Sequence, residues 1–313
     1  MKLSQLVAAN NVANAAQQAA RRHSILLYGK PKVGKTELAG TLAKIPAVNN
    51  IYWFDLENGS DTLAYMVERG KLTVEQADKI TLIKVPDLRD TPTAMDTLLR
   101  SICTRAAVKI CEEHGRVSCP DCIKNKLTFV EFDHKSLGPY DWIVVDSLSQ
   151  AGVSAMNMAC LGKDAGYKPT FDEFGLQGKW LSDFLTTVQA APYCNFLCIT
   201  HVQTLEDDDG KEIYSPLCGT KAFSANTSKF FGTVIYAEMR MKQHKAGSST
   251  SYNTQTQTGS RIGLLLEKEK DLDLSVVLPA AGICVTKSAE AEVSATPVTQ
   301  SAQAGKPMFG KVN

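Results

Sequence analysis

The sequence predicts an α/β fold: a mostly parallel central sheet with helices on both faces, C-terminal antiparallel strands and a small metal-stapled insertion. Three observations lead there. Short runs that are apolar throughout recur along the chain, at 24–28 (SILLY), 50–54 (NIYWF), 80–85 (ITLIKV), 142–146 (WIVVD) and 195–200 (NFLCIT). Strands apolar on both sides belong to a parallel sheet covered by helices. Between them fall longer amphipathic stretches, at 35–44, 61–78, 93–113, 147–160, 171–190 and 220–231, which read as helices. The first apolar run leads straight into Gly29-Lys30-Pro31-Lys32-Val33-Gly34-Lys35-Thr36, a G-x-x-x-x-G-K-[ST] loop between a strand and a helix.

Composition bounds what surrounds this core. The chain has 313 residues, 44% hydrophobic and 21% charged, which excludes a globally disordered or collagen-like chain. Lys+Arg 34 against Asp+Glu 33 leaves a net charge of +1, so a nucleic-acid partner would have to be held by a local basic patch. No uninterrupted apolar run approaches the ~18 residues of a membrane helix. Residues 1–22 are Ala-rich, with Leu3, Leu6 and Val7 at helical spacing. They read as a helix preceding the main domain (23–285), docked on a neighbouring subunit or folded on its own domain. They lack the basic start and compact apolar run of a secretory signal, and a cytoplasmic location is expected. Most of the nine cysteines stand singly and read as reduced thiols. After Phe231 strands are expected in GTVIYAEMRM, RIGLLLEKE and DLSVVL, with an exposed loop over 246–260. The small, polar stretch 286–313 is expected to be a disordered tail, its Met308 and Phe309 a docking peptide or an ordinary terminus.

The glycine loop has a chemical reading. Its glycines let backbone N–H groups curl around phosphate oxygens, Lys35 reaches the β- and γ-phosphates of ATP, and the Thr36 hydroxyl ligates Mg²⁺. Asp146 ends the buried strand WIVVD, where it would hold Mg²⁺ through water or cap the next helix. Glu57 follows the strand ending FDLE at the same carboxyl edge, as a base for the attacking water or an ordinary loop carboxylate.

In this order, GKPKVGKT, FDLE–NGSD, WIVVDS and CITH resemble the core of the RecA-type recombination ATPases over roughly residues 24–240. Among relatives the architecture is most similar to the phage group with a pared-down RecA core. The resemblance implies that Glu57 is the catalytic glutamate and Asp146 the metal aspartate. It places His201 as the γ-phosphate sensor, where the bacterial recombinase has a glutamine; an imidazole can donate the same hydrogen bond. Ser228-Lys229-Phe230-Phe231-Gly232 is similar to a segment whose lysine reaches ATP on the neighbouring subunit, so Lys229 would act in trans. A homo-oligomer, filament or ring, is implied, annealing or recombining single-stranded DNA beside a single-strand-binding protein. The same residues would serve a ring helicase motor, or a non-catalytic ATP switch that binds a protein partner.

Cys111-x-x-His114 followed by Cys119-Pro-Asp-Cys122 supplies four ligands of the kind Zn²⁺ prefers and closes a structural site. A zinc knuckle over 108–126 is expected, an insertion in the minimal core, with Cys103 and His134 as substitute ligands; unmetallated thiols are the other reading. The resemblance places the DNA loops after the metal-aspartate and sensor strands. In the first, Lys163 and Lys168 flank Tyr167, lysines for phosphates and a ring for base stacking. Lys179, Phe171 and Phe174 belong to the same stretch, the two rings as stacking platforms or as core. The second, 203–221, carries EDDDG and reads as a solvated hairpin in which Lys211 and Lys221 could meet phosphate.

Overall fold

The computed structural model describes residues 22–284 apart from 105, 191–192, 207–208, 241–242, 248–254 and 262–272. Of the helix expected over 1–22 only Arg22 is described, and the tail over 286–313 lies outside these residues. So do almost all of RIGLLLEKE and much of the 246–260 loop.

Numbered in chain order, the parallel strands are β1 (Ser24–Gly29), β2 (Ile51–Asp55), β3 (Ile80–Lys84), β6 (Trp142–Asp146), β7 (Asn195–Glu206) and β9 (Thr233–Arg240), arranged 9-1-7-6-2-3. β10 (Gln243–Gly247) and β11 (Gly259–Ser260) join β9 antiparallel, and β8 (Glu212–Pro216) turns back along the far half of β7. A separate antiparallel pair, β4 (Val108–Cys111) and β5 (Phe129–Phe132), with the short α5 (Pro120–Lys124) between them, carries the cysteine-rich insertion. This is the expected α/β architecture, a mostly parallel sheet with antiparallel strands added at its edge.

The strands are apolar on both faces because both are covered. Leu26, Tyr28, Phe54, Ile143 and Val145 face one layer, built from α4 (Ala94–Leu98), α6 (Leu148–Ala159) and α7 (Phe171–Ala190). Ile25, Leu27, Trp53, Trp142 and Val144 face the other, where α1 (Lys35–Gly40), α2 (Asp61–Glu68) and α9 (Leu274–Ala280) pack. Parallel register then gathers strand ends. Gly29 stands opposite His201, and Asp55 opposite Asp146, at one carboxyl edge. Gly29 is required there for contact as well as for turning: a Cβ would fall 2.1 Å from the Ala237 carbonyl oxygen of β9. Gly29→Ala is therefore expected to cost about 1–3 kcal/mol, read as a lower denaturation midpoint; an unchanged midpoint would show that β9 yields freely.

Several boundaries differ from expectation. The helix expected over 61–78 is two: α2 stops before Gly70 (φ 68°), and Thr73 opens α3 (Val74–Ala77) with a reciprocal capping box to Gln76. The helix expected over 93–113 ends much earlier. α4 widens into a π-helical turn at Leu99–Cys103, and β4 follows, with Ile110 buried and Lys109 outside against Glu131. DLSVVL is helix, not strand. Asp273 caps it through Ser275 N (2.9 Å) and pairs with Lys44 (2.7 Å), while Leu274 and Leu278, four apart, are buried. The 203–221 segment is the hairpin expected, β7–β8. The 220–231 helix divides into α8 (Lys221–Asn226) and a 3₁₀ turn, Thr227–Phe230.

Candidate nucleotide site and cysteine cluster

The loop from Gly29 to Thr36 joins β1 to α1, and its left-handed residues are Lys32 (φ 62°) and Gly34 (φ 88°). Lys35 is 6% exposed. Its Nζ donates to the carbonyls of Gly29 (3.1 Å) and Lys30 (2.9 Å) and to His201 Nδ1 (3.4 Å). Burial pulls the Lys35 ammonium below its ordinary pKa, against the attraction of Asp146 and Glu57. The Thr36 hydroxyl donates to Asp146 Oδ2 at 2.9 Å. These two oxygens fit a magnesium site: a hard cation takes a hydroxyl and a carboxylate, and both face the mouth of the loop. Burial pushes Asp146 up to about 7 against the Thr36 hydrogen bond, with the Glu57 and Asp55 charges adding to the rise.

Glu57 is reached by Ser147 Oγ, which donates to Oε1, and by His201 Nε2, which donates to Oε2 at 3.3 Å. Burial alone would raise its pKa, yet the His201 and Ser147 hydrogen bonds hold it below the ordinary value, leaving it ionised at neutral pH. His201 thus spans Lys35 and Glu57. Its backbone N donates to Ser149 Oγ (2.9 Å), which in turn meets Thr200 Oγ1 (2.8 Å). Lys35, Thr36, Glu57, Asp146 and His201 converge on one mouth. Lys229 does not join them: Gly232, just beyond it, bonds to Ser24 at the amino end of β1, roughly one 17 Å strand length away.

Two contributors were not anticipated. Ser147 lay inside the WIVVDS motif with no role attached. His244, on β10, donates from Nδ1 to the Val33 carbonyl (2.8 Å), and its ring would lie 3.0 Å from a Cβ on Gly34. A cleft of about 340 Å³ continues from the loop along α1, between Glu37, Thr41, Met66, Lys71 and His244.

The profile of the AAA domain family AAA_24 matches residues 21–262. The chain belongs to this family. It is a P-loop ATPase, and ATP and Mg²⁺ are the ligands that membership implies. No curated protein is similar enough to count as a relative. Similar solved structures share little sequence. A prototypical type III secretion ATPase of pathogenic bacteria is 11% identical with a TM-score of 0.42, over 77% of this chain and 57% of that one. The assembled ATPase EscN, solved with its central stalk EscO from enteropathogenic E. coli, is 12% identical (TM-score 0.41, 93% of this chain and 57% of that one). The RadB recombinase is 14% identical (TM-score 0.37, 72% and 79%). The chain thus spans 57% of the length of each secretion ATPase.

In this AAA_24 domain the insertion brings Cys111, His114, Cys119 and Cys122 together, their ligand atoms all within 4.8 Å of one another. His114 Nδ1 stands 3.2 Å from Cys122 Sγ and 3.7 Å from Cys119 Sγ. The edges of a tetrahedron around zinc are about 3.6–3.8 Å, so the donor set fits that ion. The two substitutes are elsewhere. Cys103 accepts from Thr187 Oγ1 (3.4 Å), and His134 packs edge-on against Tyr193.

The loop between α6 and α7 is fixed from two sides. Arg89, beyond the carboxyl end of β3, donates to the Asp164 and Ala165 carbonyls (3.2 and 3.0 Å). Glu173 accepts from Tyr167 OH (2.8 Å), Thr170 Oγ1 and Thr170 N, and the Thr170 bonds chiefly hold it down to about 2. Lys163 Nζ lies 5.0 Å above the Tyr167 ring. Phe171 and Phe174 are 95% and 42% exposed, which settles against their being core. Lys168 and Lys179 are also exposed, the second paired with Asp183 (2.6 Å).

Proposed function

We propose that this AAA_24 ATPase hydrolyses ATP while bound to single-stranded DNA, and that it promotes annealing or strand pairing in recombination, as the phage minimal-RecA group does. The observation that carries the DNA reading is Phe171, an almost fully exposed ring opening α7, with Lys163 and Lys168 exposed in the loop that precedes it. Exposed rings next to lysines are what an unpaired strand uses, bases stacking and phosphates pairing. Tyr167 contributes its ring as the seat for Lys163.

In this reading the loop Gly29–Thr36 cradles the triphosphate and the cleft along α1 takes the nucleoside. Mg²⁺, held by Thr36 and Asp146, would supply charge neutralisation at the phosphates. Lys35 leaves the two carbonyls it holds for the γ-phosphate. Glu57 orients the water, and His201, touching both, reports whether the γ-phosphate is present. Lys229, at the opposite sheet edge from its own loop, serves the ATP of a neighbouring copy in a homo-oligomer, filament or ring. Zinc staples the insertion, and the protein works in the cytoplasm beside a single-strand-binding protein.

Single-stranded DNA is expected to raise ATP turnover, with binding that weakens steeply as salt rises. Phe171→Ala should weaken DNA binding roughly 5- to 150-fold, the range for one stacked base, and leave DNA-free turnover unchanged. If DNA alters neither turnover nor assembly, the nucleic-acid reading fails. Freshly purified protein should carry one zinc per chain, and chelation should lower its melting temperature; an elemental analysis without zinc sinks the staple.

A further inference from the structure

We propose that Asp87 is a positioning residue that couples the cysteine-rich insertion to Glu57; the proposal rests on Glu57 acting in hydrolysis as argued above. Asp87 lies in the segment between β3 and α4, and its carboxylate gathers two elements. Oδ1 accepts from Thr93 N (2.7 Å), Ala94 N (3.0 Å) and Ser154 Oγ (2.8 Å), and Oδ2 accepts from Gln150 Nε2 (2.9 Å). The start of α4 is thereby tied to the first two turns of α6.

Each end of this tie continues. On one side the insertion presses against the same segment. Gly115, next to the ligand His114, sits so close to the end of β3 that a Cβ would be 2.5 Å from the Lys84 carbonyl oxygen. The Gly115 carbonyl accepts from Thr97 Oγ1 (2.7 Å), and Arg116 Nε donates to Thr93 Oγ1 (3.4 Å). On the other side, Gln150 N donates to Ser147 Oγ (3.3 Å), and that hydroxyl donates to Glu57. A continuous set of directional contacts therefore runs from the metal ligands through Thr93 and Thr97, Asp87, Gln150 and Ser147 to the glutamate. An aspartate that merely capped α4 would need only the two backbone bonds. The bonds to Ser154 and Gln150 on α6 are the surplus that the coupling explains.

Gln150→Glu separates the two roles. Asp87 keeps its bonds to Thr93 N, Ala94 N and Ser154, while its Oδ2 now faces a second carboxylate that no side-chain rotation can pair. Adding Asp87→Asn restores one hydrogen bond with donor and acceptor exchanged. The readouts are amide hydrogen exchange over residues 147–154 without nucleotide, turnover, and nucleotide affinity. Gln150→Glu should speed that exchange and lower kcat roughly three- to thirtyfold, with affinity held within twofold. Asp87→Asn/Gln150→Glu should return both toward wild type. Chelating zinc from the full-length wild-type protein should speed exchange over the same residues. Gln150→Ala, which also spares the α4 cap, should match Gln150→Glu and serves if that variant misfolds.

The proposal is overturned if Gln150→Glu and Gln150→Ala exchange like wild type, if the double variant folds without restoring the contact, or if chelation loosens the insertion alone. A wild-type protein without turnover would sink the hydrolytic reading instead, and the exchange measurements would still decide the coupling.

Discussion

Lys35→Ala is expected to weaken ATP binding by roughly one to two orders of magnitude, the ~1.5–3 kcal/mol of a hydrogen bond to a charged group. The protein should remain folded. Lys35 is buried, and burial pulls its pKa down, so its charged form is already penalised in the empty site. Removing it takes away that penalty along with two bonds to carbonyls that bulk water or a repacked loop can serve. Loss of affinity at an unchanged melting temperature, measured by titration with a fluorescent ATP analogue, is the signature expected. Equal affinity in the variant would mean that the triphosphate is held elsewhere.

The second large effect belongs to Glu57. Glu57→Gln keeps the shape of the side chain, and its amide oxygen can still accept from Ser147. It cannot take a proton from water, and general-base groups are worth roughly 10²- to 10⁴-fold. Turnover should fall by that factor while ATP affinity stays near wild type, so the variant accumulates bound ATP. The hydrogen bonds from His201 and Ser147 keep the wild-type carboxylate ionised despite its burial, so the base is ready at neutral pH. Retained turnover in Glu57→Gln would hand the water to another group, with His201, whose Nε2 stands 3.3 Å from Glu57, the candidate.

What was legible in the sequence was what lies close together along it. The phosphate loop is eight consecutive residues flanked by a strand and a helix, and the four zinc-type ligands fall between 111 and 122. α7 could be bounded at 171–190 because Leu181, Phe184, Leu185 and Val188 mark one face at helical spacing. DLSVVL misled because six residues can satisfy period two and period four at once. Its Asp273 cap, confirmed by a lysine far away in sequence, decided for helix. The 93–113 stretch misled because Ala, Met and Leu give way to an alternating V-K-I-C that only the partner strand β5 makes decisive.

Other parts were hidden for a different reason. His244 meets Val33 across 211 residues, and nothing local distinguishes it from a surface histidine on a strand. Asp87 meets Gln150 across 63 residues, and neither belongs to a motif. Long-range polar contacts depend on the register of the sheet and the seating of helices, which hydrophobic periodicity fixes only to within a turn. Exposure has the same origin: whether Phe171 opens a helix at the surface or buries itself depends on what α6 leaves uncovered.

The most direct measurement is a structure of the protein with Mg²⁺ and a slowly hydrolysed ATP analogue. The account predicts Lys35 released from the Gly29 and Lys30 carbonyls onto the γ-phosphate, the ion between Thr36 and Asp146, and a water between Glu57 and the γ-phosphate. A triphosphate bound with Lys35 still on those carbonyls, and with no water within reach of Glu57, would contradict it.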